Sequence, residues 1–76
     1  MITAIILIKA AQGRVPEVAQ ALLEFPGITE AYSVAGPWDL VAIARVRRQD
    51  DLEALVAGRV QKIPGIEATT TLIAFR

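Results

Sequence analysis

Gly36, Pro37, Trp38 and Asp39 are the residues of this chain whose types and spacing suit chemistry best. Gly36 can take positive φ or let another group come close to its backbone. Its N–H is then free to meet a carboxylate. Pro37 fixes φ and removes one donor. Asp39 supplies a carboxylate, an acceptor for the ammonium of a small ligand. Each residue also has a plainer reading. Aspartate in turns bonds its own backbone, and glycine serves turn geometry. Trp38 walls a pocket or anchors a subunit interface, and the interface ranks first because aromatics are enriched there. Tyr32 reads the same way, with its hydroxyl as a hydrogen-bonding handle. Thr69, Thr70 and Thr71 place hydroxyls on both faces of one strand, or simply fill it with β-branched residues.

Composition removes whole classes of function. There is no cysteine and no histidine, so no thiolate, no imidazole base and no common transition-metal ligand. Eight basic residues balance eight acidic ones. Such a balance gives no electrostatic footprint for nucleic acid or an acidic membrane. A sheet that reads RNA needs stacking aromatics and a basic face; this chain has two Phe, one Tyr and one Trp. Copper carriage lacks its Cys-x-x-Cys pair, and acyl phosphate hydrolysis lacks an asparagine. No two acids show the spacing of a catalytic dyad. The expectation is a non-enzyme without cofactor or metal. Met1–Ile8 is apolar but too short for a signal segment, and it lacks a basic lead-in. No run reaches the roughly 20 apolar residues of a membrane span. A cytoplasmic protein is expected.

The 76 residues make one domain, residues 1–76. Ile2 to Ala10 reads as a strand, apolar on both faces. Arg14 to Leu23 or Glu24 reads as a helix, with Val15, Val18, Ala19, Leu22 and Leu23 on one stripe and Pro16 and Glu17 in its first turn. Ile28 to Ala35 and Trp38 to Arg47 read as a hairpin turning at Gly36-Pro37. Asp50, with Glu53 three residues on, reads as the cap of a second helix. Leu52, Leu55, Val56, Val60 and Ile63 form its stripe, and Gly58 is its weak point. Ile66 to Phe75 closes the chain as a strand.

The chain also repeats itself. Phe25-Pro26-Gly27-Ile28 returns 38 positions later as Ile63-Pro64-Gly65-Ile66. Each copy closes a helix and opens a strand. Two such halves in the order β-α-β-β-α-β predict a ferredoxin-like α+β fold: a four-stranded antiparallel sheet with two helices on one face. Helices cover one face, yet the strands are apolar on both. Ile5, Leu7, Val41, Ile43, Ile73 and Phe75 are read as one set, and Ile6, Ile8, Leu40 and Leu72 as the other. One set packs on the helices; the other needs a second cover. Apolar residues reach 54% and the net charge is zero, which favours association. The expected cover is the same face of a second copy, a two-fold dimer resembling an α/β barrel.

These features together resemble the effector-binding (RAM) domain of the leucine-responsive Lrp/AsnC transcription regulators. The resemblance covers essentially the whole chain. It rests on the element order, on the two Pro-Gly-Ile turns, on Val34-x-Gly36-x-x-Asp39-Leu40 across the hairpin, and on Thr69-x-Thr71 in the last strand. It implies dimers with facing sheets that associate further, into octamers or decamers. It implies a small effector, typically an amino acid, held near the hairpin. Gly36 and Asp39 are carried over as site residues, with Val34, Trp38, Thr69 and Thr71 around them. An amino acid is a zwitterion, and this set offers N–H groups to its carboxylate and an acceptor to its ammonium. The chain starts at the first strand of that domain and so resembles stand-alone members without a helix-turn-helix. The expected role is sensing a metabolite, in partnership with full-length regulators, with no direct hold on nucleic acid or membrane. Two alternatives share the fold: a small dimeric oxygenase- or isomerase-type enzyme, and an ACT-like amino-acid-binding module.

Overall fold

The computed structural model describes residues 1–75. Its elements run β1 (Ile2–Ala10), α1 (Val15–Leu23), β2 (Ile28–Ser33), β3 (Leu40–Val46), α2 (Gln49–Gly58), a 3₁₀ turn (Val60–Lys62) and β4 (Ile66–Ala74). The strands form one antiparallel sheet in the order β2-β3-β1-β4. This is the ferredoxin-like fold expected from the element order, with β1 and β3 central and β2 and β4 at the edges.

The repeated Pro-Gly-Ile is one turn used twice. Gly27 and Gly65 have φ of 102° and 101°. Ile28 N–H donates to Phe25 C=O, and Ile66 N–H to Ile63 C=O, each at 3.2 Å. Proline second and a positive-φ glycine third are what a type II turn requires. Each glycine also faces the helix of the other half. A Cβ on Gly27 would lie 3.3 Å from Leu55 of α2, and one on Gly65 would lie 3.0 Å from Arg14 at the start of α1. The halves share a further feature. After each turn one extra residue bulges from the strand, Thr29 in β2 and Glu67 in β4.

The second bulge decides which residues face the helices. A one-residue insertion flips the phase of every side chain beyond it. Ile66 lies opposite Ala10 on the helix face, but after Glu67 the helix face takes Thr69, Thr71 and Ile73. Leu72 lies opposite Ile5 on the open face. The expected grouping is therefore corrected in β4: Leu72 belongs with Ile5 and Leu7, and Ile73 with Ala4 and Ile6. The β3 part of the grouping agrees, with Val41 opposite Leu7 and Ile43 opposite Ile5.

The core lies between sheet and helices. Ile6, Ile8, Val18, Leu22, Leu40 and Val60 are fully enclosed. No polar or charged side chain among the described residues is buried. Leu23, expected on the α1 stripe, is instead exposed at the helix end. The second helix also differs from expectation. Arg48, in extended conformation and without a side-chain cap, precedes α2. Asp50 is not the cap: it lies in the first turn with Asp51, where negative charge suits the helix dipole. The helix stops at Gly58, the weakest helix former in it. A 3₁₀ turn then keeps Val60 and Ile63 in the core, so the apolar stripe survives the break.

Candidate functional site

β2 ends at Ser33 and β3 begins at Leu40, so a six-residue loop joins them where the sequence suggests a tighter hairpin. Pro37 has no N–H for a ladder, and Gly36 has φ of 130°, outside strand conformation. Val34 N–H donates to Asp39 C=O at 3.0 Å and closes the loop. Around Gly36 there is open space, for a Cβ there would meet nothing within 4 Å. Trp38 and Asp39 are half-buried, while Val34 to Pro37 are exposed.

Three consecutive residues at the end of β1 hold this loop. Ile8 C=O accepts from Asp39 N–H at 2.9 Å. Ala10 N–H donates to the Asp39 carboxylate, Oδ2, also at 2.9 Å. Lys9 Nζ donates to Pro37 C=O at 3.0 Å. The Asp39 carboxylate thus bonds to backbone, but to a neighbouring strand and not within its own turn. A carboxylate has about four lone-pair sites, so one bond leaves capacity for a ligand. Among the described residues no acceptor takes the N–H of Gly36 or of Trp38. One loop therefore carries two unpartnered N–H groups and a tethered carboxylate.

The structure brings Val34, Gly36, Trp38 and Asp39 together, but not the two threonines. Thr69 lies opposite Ile8 and Thr71 opposite Ile6, across β1 from β3 and on the helix face. Two strand spacings, about 10 Å, separate Thr69 from Leu40. Thr69 Oγ1 accepts from Gln61 Nε2 at 2.9 Å. Thr71 lines a separate groove between α2 and β4, about 330 Å³ in volume, with Leu52, Val56, Ala57 and Ile73 as its apolar wall.

Two sets of contacts carry no signal in the sequence. Lys9 is the single charged residue of β1, and only the folded chain, through its bond to Pro37 C=O, shows that it reaches the loop. The second set lies on the open face of β2 and β3. Tyr32 O–H donates to Glu30 Oε1 at 2.5 Å, and Arg45 Nη1 lies 3.5 Å from Glu30 Oε2. Arg45 also donates to Thr29 Oγ1, whose hydroxyl donates in turn to Ile43 C=O. The bulge at Thr29 makes this cluster by turning Glu30 onto the open face. The Tyr32 hydroxyl, and after it Arg45, holds the Glu30 carboxyl below its ordinary range. The same bond, with the carboxylate charge, raises the Tyr32 hydroxyl. Beside the cluster, Ile5, Leu7, Val41, Ile43 and Leu72 form an apolar patch with no helix over it.

The sequence model of the family described as the Lrp/AsnC ligand binding domain matches residues 3–76. The chain belongs to that family. Among curated Lrp/AsnC-type relatives, the HTH-type transcriptional regulator FL11 of Pyrococcus furiosus is 36% identical over 75 residues, 99% of this chain and 49% of its own length. FL11 of Pyrococcus horikoshii is 34% identical over 96% of this chain and 48% of its own. The chain thus spans about half the length of these relatives. Among solved structures, TTHA0845 from Thermus thermophilus superposes with a TM-score of 0.95 at 42% identity, covering 100% of this chain and 95% of its own. The AsnC structure from E. coli gives 0.92 at 25% identity, over 99% of this chain and 51% of its own. The fold of an Lrp/AsnC ligand-binding domain is therefore the fold described above. Neither helix of the described residues forms a helix-turn-helix, since each runs between strands of the same sheet. No described helix is long and apolar enough to cross a membrane. Among the described residues no three acids gather as a metal site would need.

Proposed function

We propose that this domain is an effector-binding, self-associating regulatory module whose effector is an amino acid or a close relative. The loop from Val34 to Asp39 is its recognition element. The observation that carries the reading is the tethering of Asp39 to Ala10, which fixes a half-buried carboxylate in the same loop as the unpartnered N–H groups of Gly36 and Trp38. A fixed acceptor next to fixed donors matches the two ends of a zwitterion, and charge-assisted hydrogen bonds are the strong ones. In one copy the loop is open surface, so a second copy must complete the enclosure that a small ligand needs.

The apolar patch of Ile5, Leu7, Val41, Ile43 and Leu72 supports the same reading. Two such faces, packed sheet on sheet about 10 Å apart, make a two-fold dimer. Dimers then associate through their edges and loops, into octamers or decamers. A ligand held between copies shifts the assembly by mass action. Because curated relatives are named transcriptional regulators, the output proposed is a change in how this domain associates with Lrp/AsnC regulators. The enzyme alternative needs a charged or polar group set inside an enclosed pocket of one subunit. The fully apolar core argues against it.

Calorimetry against the twenty amino acids tests the proposal. Asp39→Asn is the informative variant, because its amide oxygen still accepts from Ala10 N–H. The proposal expects at least one amino acid to bind and the substitution to weaken it by about tenfold or more, since 1.4 kcal/mol is tenfold in affinity. Heat with none of them, or equal binding by the variant, contradicts it.

A further inference from the structure

We infer that Lys9 is a specificity-determining residue of the hairpin site: it receives the carboxylate of the effector while Asp39 receives the ammonium. This rests on the loop being the binding site.

Two hydrogen bonds place the two charges at one loop. The β1–β3 ladder ends at Ile8 and Leu40, and just past it Lys9 Nζ donates to Pro37 C=O while Ala10 N–H donates to the Asp39 carboxylate. Opposite charges at one loop attract each other. Among the described residues these two do not form an ion pair. Each is instead drawn off to a backbone group: Lys9 to Pro37 C=O and Asp39 to Ala10 N–H. The protein thus separates a cation from an anion at one loop and fixes both. An ammonium has three donors and a carboxylate about four acceptor sites. One bond each leaves both charges able to bind further. The shortage is complementary: the loop supplies neutral N–H donors at Gly36 and Trp38 but no other cation.

Lys9 is the only charged residue on β1, a strand otherwise built of Ile, Leu, Thr and Ala. A long flexible side chain there loses rotamer entropy when it is pinned across a loop. The Pro37 bond thus pre-orients the ammonium over the turn, and preorganisation reduces the cost of binding. The ligand class is narrowed accordingly. Both an α-ammonium and a carboxylate are read, so simple amines and simple acids are rejected. Val34 and Trp38, on either side of Gly36 within the loop, favour an apolar or aromatic side chain on the ligand.

The test is a pairwise titration of the intact protein. Each of the twenty L-amino acids is titrated, and for every binder also the amine lacking its carboxylate, as isoamylamine stands to leucine. Lys9→Gln keeps an N–H donor for Pro37 C=O but removes the charge; Lys9→Arg keeps the charge. Wild type is expected to prefer the amino acid to its amine by at least tenfold. Lys9→Gln should lower that ratio to within about threefold, and Lys9→Arg should restore most of it. An undiminished ratio in Lys9→Gln overturns the inference, as does a wild type that binds amine and amino acid alike; the second result leaves the Asp39 site standing. A Lys9→Gln variant that loses both ligands equally makes Lys9 a loop clasp and overturns its role in specificity. No binding of any amino acid or amine overturns the site itself.

Discussion

The carboxylate of Asp39 accepts a hydrogen bond from the backbone N–H of Ala10, 29 residues earlier in the chain, at 2.9 Å. One contact thereby joins the β2–β3 loop to the end of the first strand. Asp39 is at once a structural tie and the anion of the proposed site, and the two roles separate by substitution. Asp39→Ala leaves the Ala10 N–H without its partner and is expected to cost about 1–2 kcal/mol, the penalty for an unpaired buried donor. Asp39→Asn retains an acceptor and is expected to recover most of that stability. Urea unfolding of the two variants checks the difference.

Gly36 and Gly65 both hold positive φ, at 130° and 101°, for different neighbours. Gly36→Ala meets nothing within 4 Å and suffers backbone strain alone, of order 1–3 kcal/mol. Gly65→Ala adds a Cβ only 3.0 Å from Arg14 Cβ. It is expected to be the more destabilising by about 1 kcal/mol or more, as overpacking ordinarily is. Thermal unfolding of the two proteins ranks them; equal losses would mean that the α1 start gives way freely.

Leu72 and Ile6 are expected to respond in opposite ways. Leu72 is 47% exposed on the open face and Ile6 is fully enclosed. Leu72→Asp should remove self-association while changing the single copy's stability by no more than about 0.5 kcal/mol. Its unfolding midpoint should not depend on protein concentration, whereas that of the wild type should rise with it. Ile6→Ala should cost about 2–5 kcal/mol through cavity formation. A concentration-dependent midpoint in Leu72→Asp would place the interface elsewhere.

Much of the fold is legible in sequence because its signals are local. The Pro-Gly-Ile repeat marks the end of each helix and the start of the next strand, and both turns form as type II turns with a positive-φ glycine. The shared place of Gly36 and Asp39 in the β2–β3 connection is legible too. Phase is not. Alternation alone puts Leu72 on the wrong face, because a single bulged residue, Glu67, reverses every side chain after it. The same reversal carries Thr69 and Thr71 onto the helix face, and the strand order puts β1 between them and the hairpin. Lys9 is invisible to a sequence reading because nothing within its own strand points to a loop 28 residues away. Asp50 looks like a cap because its spacing to Glu53 fits one, yet Arg48 precedes it in extended form and starts the helix two residues earlier.

The Glu30–Tyr32–Arg45 cluster gives a signed pH dependence. The Glu30 pKa is depressed below its ordinary 4.5, so the contribution of the folded cluster is present above that value and lost as pH falls through the depressed one. The Tyr32 pKa is raised above 10.0, so its part is present below 10.0 and lost as pH climbs through the raised value. Glu30→Gln should remove the acid-side dependence and return the tyrosine titration toward its ordinary range. Ultraviolet titration of Tyr32, the only tyrosine, reads the second effect directly. An unchanged tyrosine titration in Glu30→Gln would show that the bond does not govern it.

Sedimentation velocity at micromolar concentration, with and without each amino acid that binds, reaches the central claim in one measurement. Two or more copies per particle are expected, with a distribution that shifts when the amino acid is added and does not shift in Asp39→Asn. A particle of one copy, indifferent to every amino acid, would contradict both the shared interface and the site completed across it.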